Sequence, residues 1–112
     1  MAKHFKLAPH ELKPLVEGYG DCFATDRILV DGAPVGFMYR EEPEDKEDSG
    51  WRFLAGDESD EYMDNPKYLG VYKTNTLANY DPTIVALLDS PVGSAFERLP
   101  DGDEFYEVED WE

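Results

Sequence analysis

A short apolar window held between two acidic segments constrains this chain more than any other feature. Residues 41–64 carry eleven carboxylates against only Lys46 and Arg52. Six of those acids and Pro43 fall within residues 41–50, a composition that reads as a loop and excludes a core strand. Trp51-Arg52-Phe53-Leu54 follows and reads as a short strand. Alternation puts Trp51 and Phe53 on one face, and Arg52 and Leu54 on the other. Acid density then returns from Gly56 to Pro66. There Ser59 is placed to cap one or two helical turns running through Asp64, with acids suited to a first turn, and Pro66 ends them. The stretch from Asp48 to Glu58 therefore organises the reading of the rest.

Upstream, residues 1–21 form a lead-in, in which Pro9 could open a short helix and Pro14 with Gly18-Tyr19-Gly20 limits its length. Cys22–Val30 reads as a strand, Asp31-Gly32 as a two-residue hairpin turn, and Ala33–Arg40 as the return strand. That turn sets Val30 opposite Ala33, Ile28 opposite Val35 and Ala24 opposite Tyr39. The strand at Trp51 is then expected to lie antiparallel to residues 33–40. Downstream, Leu69–Tyr72 reads as a strand and Thr74–Asn79 as a turn or short helix. Asp81-Pro82 signals a helix start, followed by the apolar Ile84, Val85, Leu87 and Leu88, which are expected to be well buried. Gly93–Leu99 and Glu104–Glu109 read as strands joined by a turn at residues 100–103, and Trp111 is expected either exposed or folded back on the sheet. These elements give an α+β fold: a small antiparallel sheet of hairpins with one or two short helices packed on one face. The expected organisation is a single domain over 1–112, with residues 22–109 as its core.

A chain of 112 residues buries roughly two-thirds of its unfolded surface. Its two Trp, seven Tyr and six Phe argue against disorder throughout. The single cysteine, Cys22, excludes an internal disulfide and fits a reducing compartment. The N-terminus lacks the apolar run of a signal peptide, and no stretch approaches the length of a membrane span, so a cytoplasmic location is expected. The formal net charge is −16. Residues 101–112 contribute seven acids and no base, and outside residues 41–64 and 101–112 the chain is neutral. This distribution disfavours direct contact with a nucleic acid backbone, which requires a basic footprint, and favours a basic protein partner or plain solubility.

No catalytic pattern stands out. A nucleophilic Cys22 would need a general base, and only His4 and His10 exist, both in the lead-in. Cys22 reads better as a small buried residue at a strand start. Counting an EF-hand loop from Asp57 puts Tyr62 where glycine is required and Tyr68 where glutamate is required, so the calcium match fails. No metal or cofactor is expected. Gly93-Ser94 has no histidine downstream. The aromatics Trp51, Tyr62, Tyr68, Tyr72 and Tyr80 lie in or beside the acidic half, and aromatic side chains with a charged rim suit a protein interface, although Trp51 and some tyrosines are equally core candidates. The partner-binding candidates are Trp51, Arg52, Asp57, Glu58, Asp60, Glu61 and Tyr62. The alternative is a cleft for an anionic ligand in which Arg40, Arg52 and Arg98 converge, against the plainer role of pairing with local acids.

Several segments together resemble the immunity protein 33 family, small bacterial domains formerly of unknown function and assigned to polymorphic toxin systems. The matching segments are residues 32–41 (Gly-Ala-Pro-Val-Gly-Phe-Met-Tyr-Arg-Glu), Asp48-Ser49-Gly50-Trp51-Arg52-Phe53, Gly56-Asp57-Glu58, Tyr80-Asp81-Pro82 and Gly93-Ser94-Ala95-Phe96-Glu97-Arg98. The resemblance covers about residues 22 to 98. It implies an α+β fold and a non-enzymatic role, binding and blocking a toxin.

Overall fold

The computed structural model describes residues 4–100 and 102–108. Six strands form one mixed sheet: β1 (Asp21–Thr25), β2 (Phe37–Arg40), β3 (Asp48–Leu54), β4 (Leu69–Lys73), β5 (Ala95–Arg98) and β6 (Phe105–Glu107), in the spatial order β4-β1-β3-β2-β5-β6. Three short α-helices, α1 (Asp26–Leu29), α2 (Asp60–Met63) and α3 (Thr74–Tyr80), accompany them with single 3₁₀ turns at Pro9–Glu11, Pro66–Tyr68 and Pro82–Leu87. The α+β class read from the sequence is the class observed. Its sheet is mixed because the chain leaves β1, skips one position to lay down β2, and fills the gap with β3. β3 is antiparallel to β2 and parallel to β1.

The apolar window sits at the centre of the sheet, as its composition requires. Trp51 and Phe53 are fully buried, facing the core with Met38, Phe96, Cys22 and Ala24. Ile28 and Leu29 of α1, Leu77 of α3, and Ile84 and Leu88 close over them. The two tryptophan neighbours of the core are aromatic, Phe53 at 6.0 Å and Phe96 at 6.5 Å between ring centroids. The indole N–H donates to the Leu88 carbonyl at 3.1 Å, so burial leaves that donor satisfied. Cys22 is buried in β1, as expected. Burial there pushes its thiol well above the ordinary range, which makes it a packing residue and a poor nucleophile. Of the apolar run after Pro82, Ile84 and Leu88 are buried, whereas Val85 is exposed: a six-residue 3₁₀ turn shows only one side to the core.

Asp31-Gly32 does not make a hairpin. Thr25 ends β1, residues 26–29 coil into α1, and both Ile28 and Leu29 enter the core. Neighbouring residues on a strand point to opposite faces, so burying both favours a helical turn. Gly32, at φ 81°, then ends α1 with its N–H donating to the Ile28 carbonyl. An Asp-Gly pair serves a left-handed helix end as readily as a hairpin, and the core packing decides between them. Residues 37–40 consequently pair with β3 and β5 instead of with β1.

The lead-in packs along α3. Asn75 and Asn79, one turn apart, accept from the amides of Leu15, Val16 and Lys13 and donate to the Lys13 carbonyl, while Tyr80 accepts from the Leu7 amide. Side-chain amides thus complete the backbone bonding of a segment whose regular structure is a single 3₁₀ turn at Pro9–Glu11. The acidic residues at 109–112, with Trp111, lie outside the described residues, as does Asp101. Among the described residues no helix is long and apolar enough to cross a membrane.

Candidate functional site

β3 separates the two acidic segments. The loop at residues 41–47 leaves one end of it, and the segment at 57–64 leaves the other. Seven strand residues span about 20 Å, so the two segments form distinct patches.

The first patch is anchored by Arg52. Its guanidinium is buried, stacks on Phe23 at 4.3 Å, donates through both terminal nitrogens to Asp48 at 2.9 Å, and pairs with Glu41 at 2.6 Å. The fork reaches back because β3 bulges: Asp48 stands beside Asp21, but Phe23 stands beside Arg52, so Ser49 and Gly50 are accommodated as extra residues. Gly50, at φ 89°, meets the Glu41 carbonyl where a Cβ would lie 2.3 Å from the oxygen, so only glycine allows this approach. Asp48 also accepts from the Glu44 and Gly50 amides. Arg52 holds the Asp48 carboxyl well below the usual range. A depressed carboxyl stabilises the fold above its unfolded pKa, about 3.9, and that contribution is lost as pH falls below it. Wild-type protein and Asp48→Asn should therefore differ most in urea midpoint at pH 7, and the difference should shrink steadily as pH falls below about 4. A difference independent of pH would show that the Asp48 charge is not involved.

The second patch begins with Glu58, which accepts from the Ala55 and Gly56 amides and from the Thr25 hydroxyl, so it shapes the turn leaving β3. Asp57 pairs with Arg27 at 2.6 Å. Ser59 caps α2, its hydroxyl accepting from the Tyr62 amide, as expected. Tyr62 stacks on Tyr68 at 4.4 Å. Its hydroxyl is buried without a hydrogen-bond partner among the described residues, and burial pushes its pKa up to about 12. The Arg27 amide faces that phenol and favours its ionised form, but does not reach hydrogen-bond geometry. Asp60, Glu61 and Asp64 are exposed and make no ion pair with a described residue. The same is true of Glu42, Glu44, Asp45 and Glu47 in the first patch.

The partner-binding candidates thus divide. Trp51 and Arg52 are buried and unavailable to a partner on the folded surface. Glu58 and Tyr62 are half-buried and hold local structure. Asp57, Asp60 and Glu61 remain exposed on one patch. Sequence reasoning missed the first patch as a candidate surface. Its signal was present in the acid run at 41–47, set aside there as a loop.

The three arginines of the alternative do not converge. Arg40 lies 5.7 Å from the Trp51 ring and donates to the Ser49 and Ser90 carbonyls. Arg52 serves the acidic loop. Arg98 pairs with Asp81, donates to the Val35 carbonyl and Thr83 hydroxyl, and packs over Phe105 at 4.6 Å. Each forms a separate structural junction, because a guanidinium this enclosed is held by acceptors from the chain itself.

Among comparisons with known proteins, the model of the Immunity protein Imm33 domain matches residues 22–109. No curated protein and no solved structure matches the chain. The match spans every strand except the first residue of β1, together with both acidic patches. An immunity-protein domain implies a role in toxin immunity, exercised by binding a toxin. The chain belongs to the Imm33 immunity protein domain family.

Proposed function

We propose that this protein blocks its toxin by binding a basic surface through exposed, unpaired carboxylates. One observation carries the reading: Arg27 and Arg52 neutralise the acids nearest the sheet, while Glu42, Glu44, Asp45 and Glu47 at one end of β3, and Asp60, Glu61 and Asp64 at the other, have no cationic partner among the described residues. Uncompensated exposed carboxylates raise the encounter rate with a positively charged partner and disfavour acidic ones. A toxin that acts on nucleic acid offers a basic surface of this kind, since it must hold a phosphate backbone. Asp60, Glu61 and Asp64 are the proposed contacts on the second patch, with the exposed Asp57 beside them held in its pair with Arg27. Trp51 and Arg52 support the surface from beneath.

The test is co-expression with candidate toxin domains from the neighbouring genes, followed by kinetics on the pair that is rescued. Growth should be rescued, and the association rate should fall about tenfold or more between 50 mM and 500 mM salt. The triple change Asp60→Asn, Glu61→Gln, Asp64→Asn should reproduce part of that loss at low salt. Failure of rescue would remove the immunity reading, and rescue by a complex indifferent to salt would remove the basic partner.

A further inference from the structure

We propose that the toxin docks on the edge of β4 as an added strand, with basic side chains directed into the acidic cleft beside Val71. This rests on the reading of a basic partner and locates it.

β4 is an edge of the sheet. It pairs with β1 in the register Cys22–Tyr72, Phe23–Val71, Ala24–Gly70. The Thr74 amide donates to the Gly20 carbonyl, one step outside that register. Hydrogen-bonded and open pairs alternate along antiparallel strands, so Tyr72 and Gly70 bond to β1. Val71 and Lys73 direct their N–H groups away from the sheet, and no described residue caps the Val71 amide or carbonyl. The side chains on this edge are also uncovered: Val71 is 59% exposed and Leu69 41%. Natural edges are protected by charge, proline, a bulge or a covering element. Among the described residues β4 has only Lys73 at one end and Phe5 packed on Tyr72.

Beside Val71 lies a cleft of about 120 Å³, lined by Asp21, Phe23, Glu44, Asp45 and Asp48. Asp48 is spent on Arg52, which leaves Asp21, Glu44 and Asp45 without ion pairs to described residues. Phe23, Val71 and Arg52 occupy one row on the sheet face opposite Trp51. A strand added to β4 therefore places alternate side chains over Val71 toward those carboxylates. Lysine or arginine fits: its aliphatic stem covers Val71 and Leu69 while the charged head reaches the cleft. A second copy of this chain fits poorly, since pairing two molecules of charge −16 brings two acidic loops together. Backbone bonds would supply the affinity and alternate side chains the selectivity, the usual division in strand addition.

The probe is a capped ten-residue peptide alternating lysine and valine, compared with its glutamate–valine counterpart and with two isomers N-methylated on either alternate set of residues. The lysine peptide should bind the full chain, slow exchange of the Val71 and Lys73 amides at least tenfold, and lose tenfold or more in affinity in one N-methylated isomer but not in the other. Val71→Pro removes an outward N–H without removing a β1–β4 bond, so it should abolish peptide protection at Lys73 with little change in circular dichroism. Where that variant does not fold, the N-methylated isomers decide alone. Binding equal in both isomers, with protection at residues 41–64 instead, would overturn the edge site and leave the basic-partner reading standing. Equal binding of the glutamate peptide, or no binding by any peptide, would overturn both. Sedimentation showing a concentration-dependent dimer with protected β4 amides would assign the edge to a second copy and overturn the proposal.

Discussion

Trp51→Ala lowers the unfolding free energy by about 3–5 kcal/mol, the range for removing a buried aromatic. The indole fills the space between the sheet and Leu88, and its loss strands the Leu88 carbonyl as well as opening a cavity beside Phe53 and Phe96. For a chain this size the loss corresponds to a fall in Tm of roughly 10–20 °C. Trp51→Phe should cost less, because it retains a ring, although it gives up the hydrogen bond. The measurement is thermal and urea unfolding of both variants, beside partner binding by the fraction that remains folded. A fall of under about 3 °C for the alanine variant would contradict the core placement. An intact fold with lost binding would return Trp51 to the interface.

A comparable loss, about 3–5 kcal/mol, is expected for Asp81→Ala, the cost of leaving one member of a buried ion pair alone. Asp81 is 6% exposed and serves four donors at once. It accepts from the Thr83 amide and hydroxyl at the start of the 3₁₀ turn, from the Val35 amide at 2.9 Å, and from the Arg98 guanidinium. One carboxylate therefore ties the turn over the core to the segment before β2 and to β5. Asp81→Asn keeps an acceptor oxygen and should lose less. The double variant Asp81→Ala, Arg98→Met should be less damaged than the sum of its parts, because removing both charges leaves neither unpaired. Additive losses would mean that the two groups do not depend on each other. An Arg98→Met protein of unchanged stability would reopen a ligand role for that arginine.

Local chemistry was legible wherever one residue's bonding sets the structure. Ser59 caps α2 because its hydroxyl meets an orphan amide three residues on, and Asp81 caps its turn in the same way. The parity of β3 was legible because a sheet with one solvated face sorts Trp51 and Phe53 from Arg52 and Leu54. The Asp31-Gly32 pair misled because a left-handed glycine serves two different turns. The arginine partners were invisible in a chain with 26 acids, since proximity in sequence does not choose among them. Arg52 takes Asp48 four residues away through a bulge, whereas Arg98 takes Asp81 across seventeen residues.

By itself the sequence determined an α+β fold with a strand at Trp51-Phe53, a family resemblance, and two stretches of uncompensated acid. Those follow from alternation, capping and composition, which act over a few residues. Only the tertiary structure decided that Trp51 is buried, that the arginines are internal ties, and that β4 is left as an open edge. Each of these depends on which distant strand comes to lie alongside. That choice is made by burying Trp51, Ile28, Leu77 and Leu88 in one core, a collective term that no single segment carries.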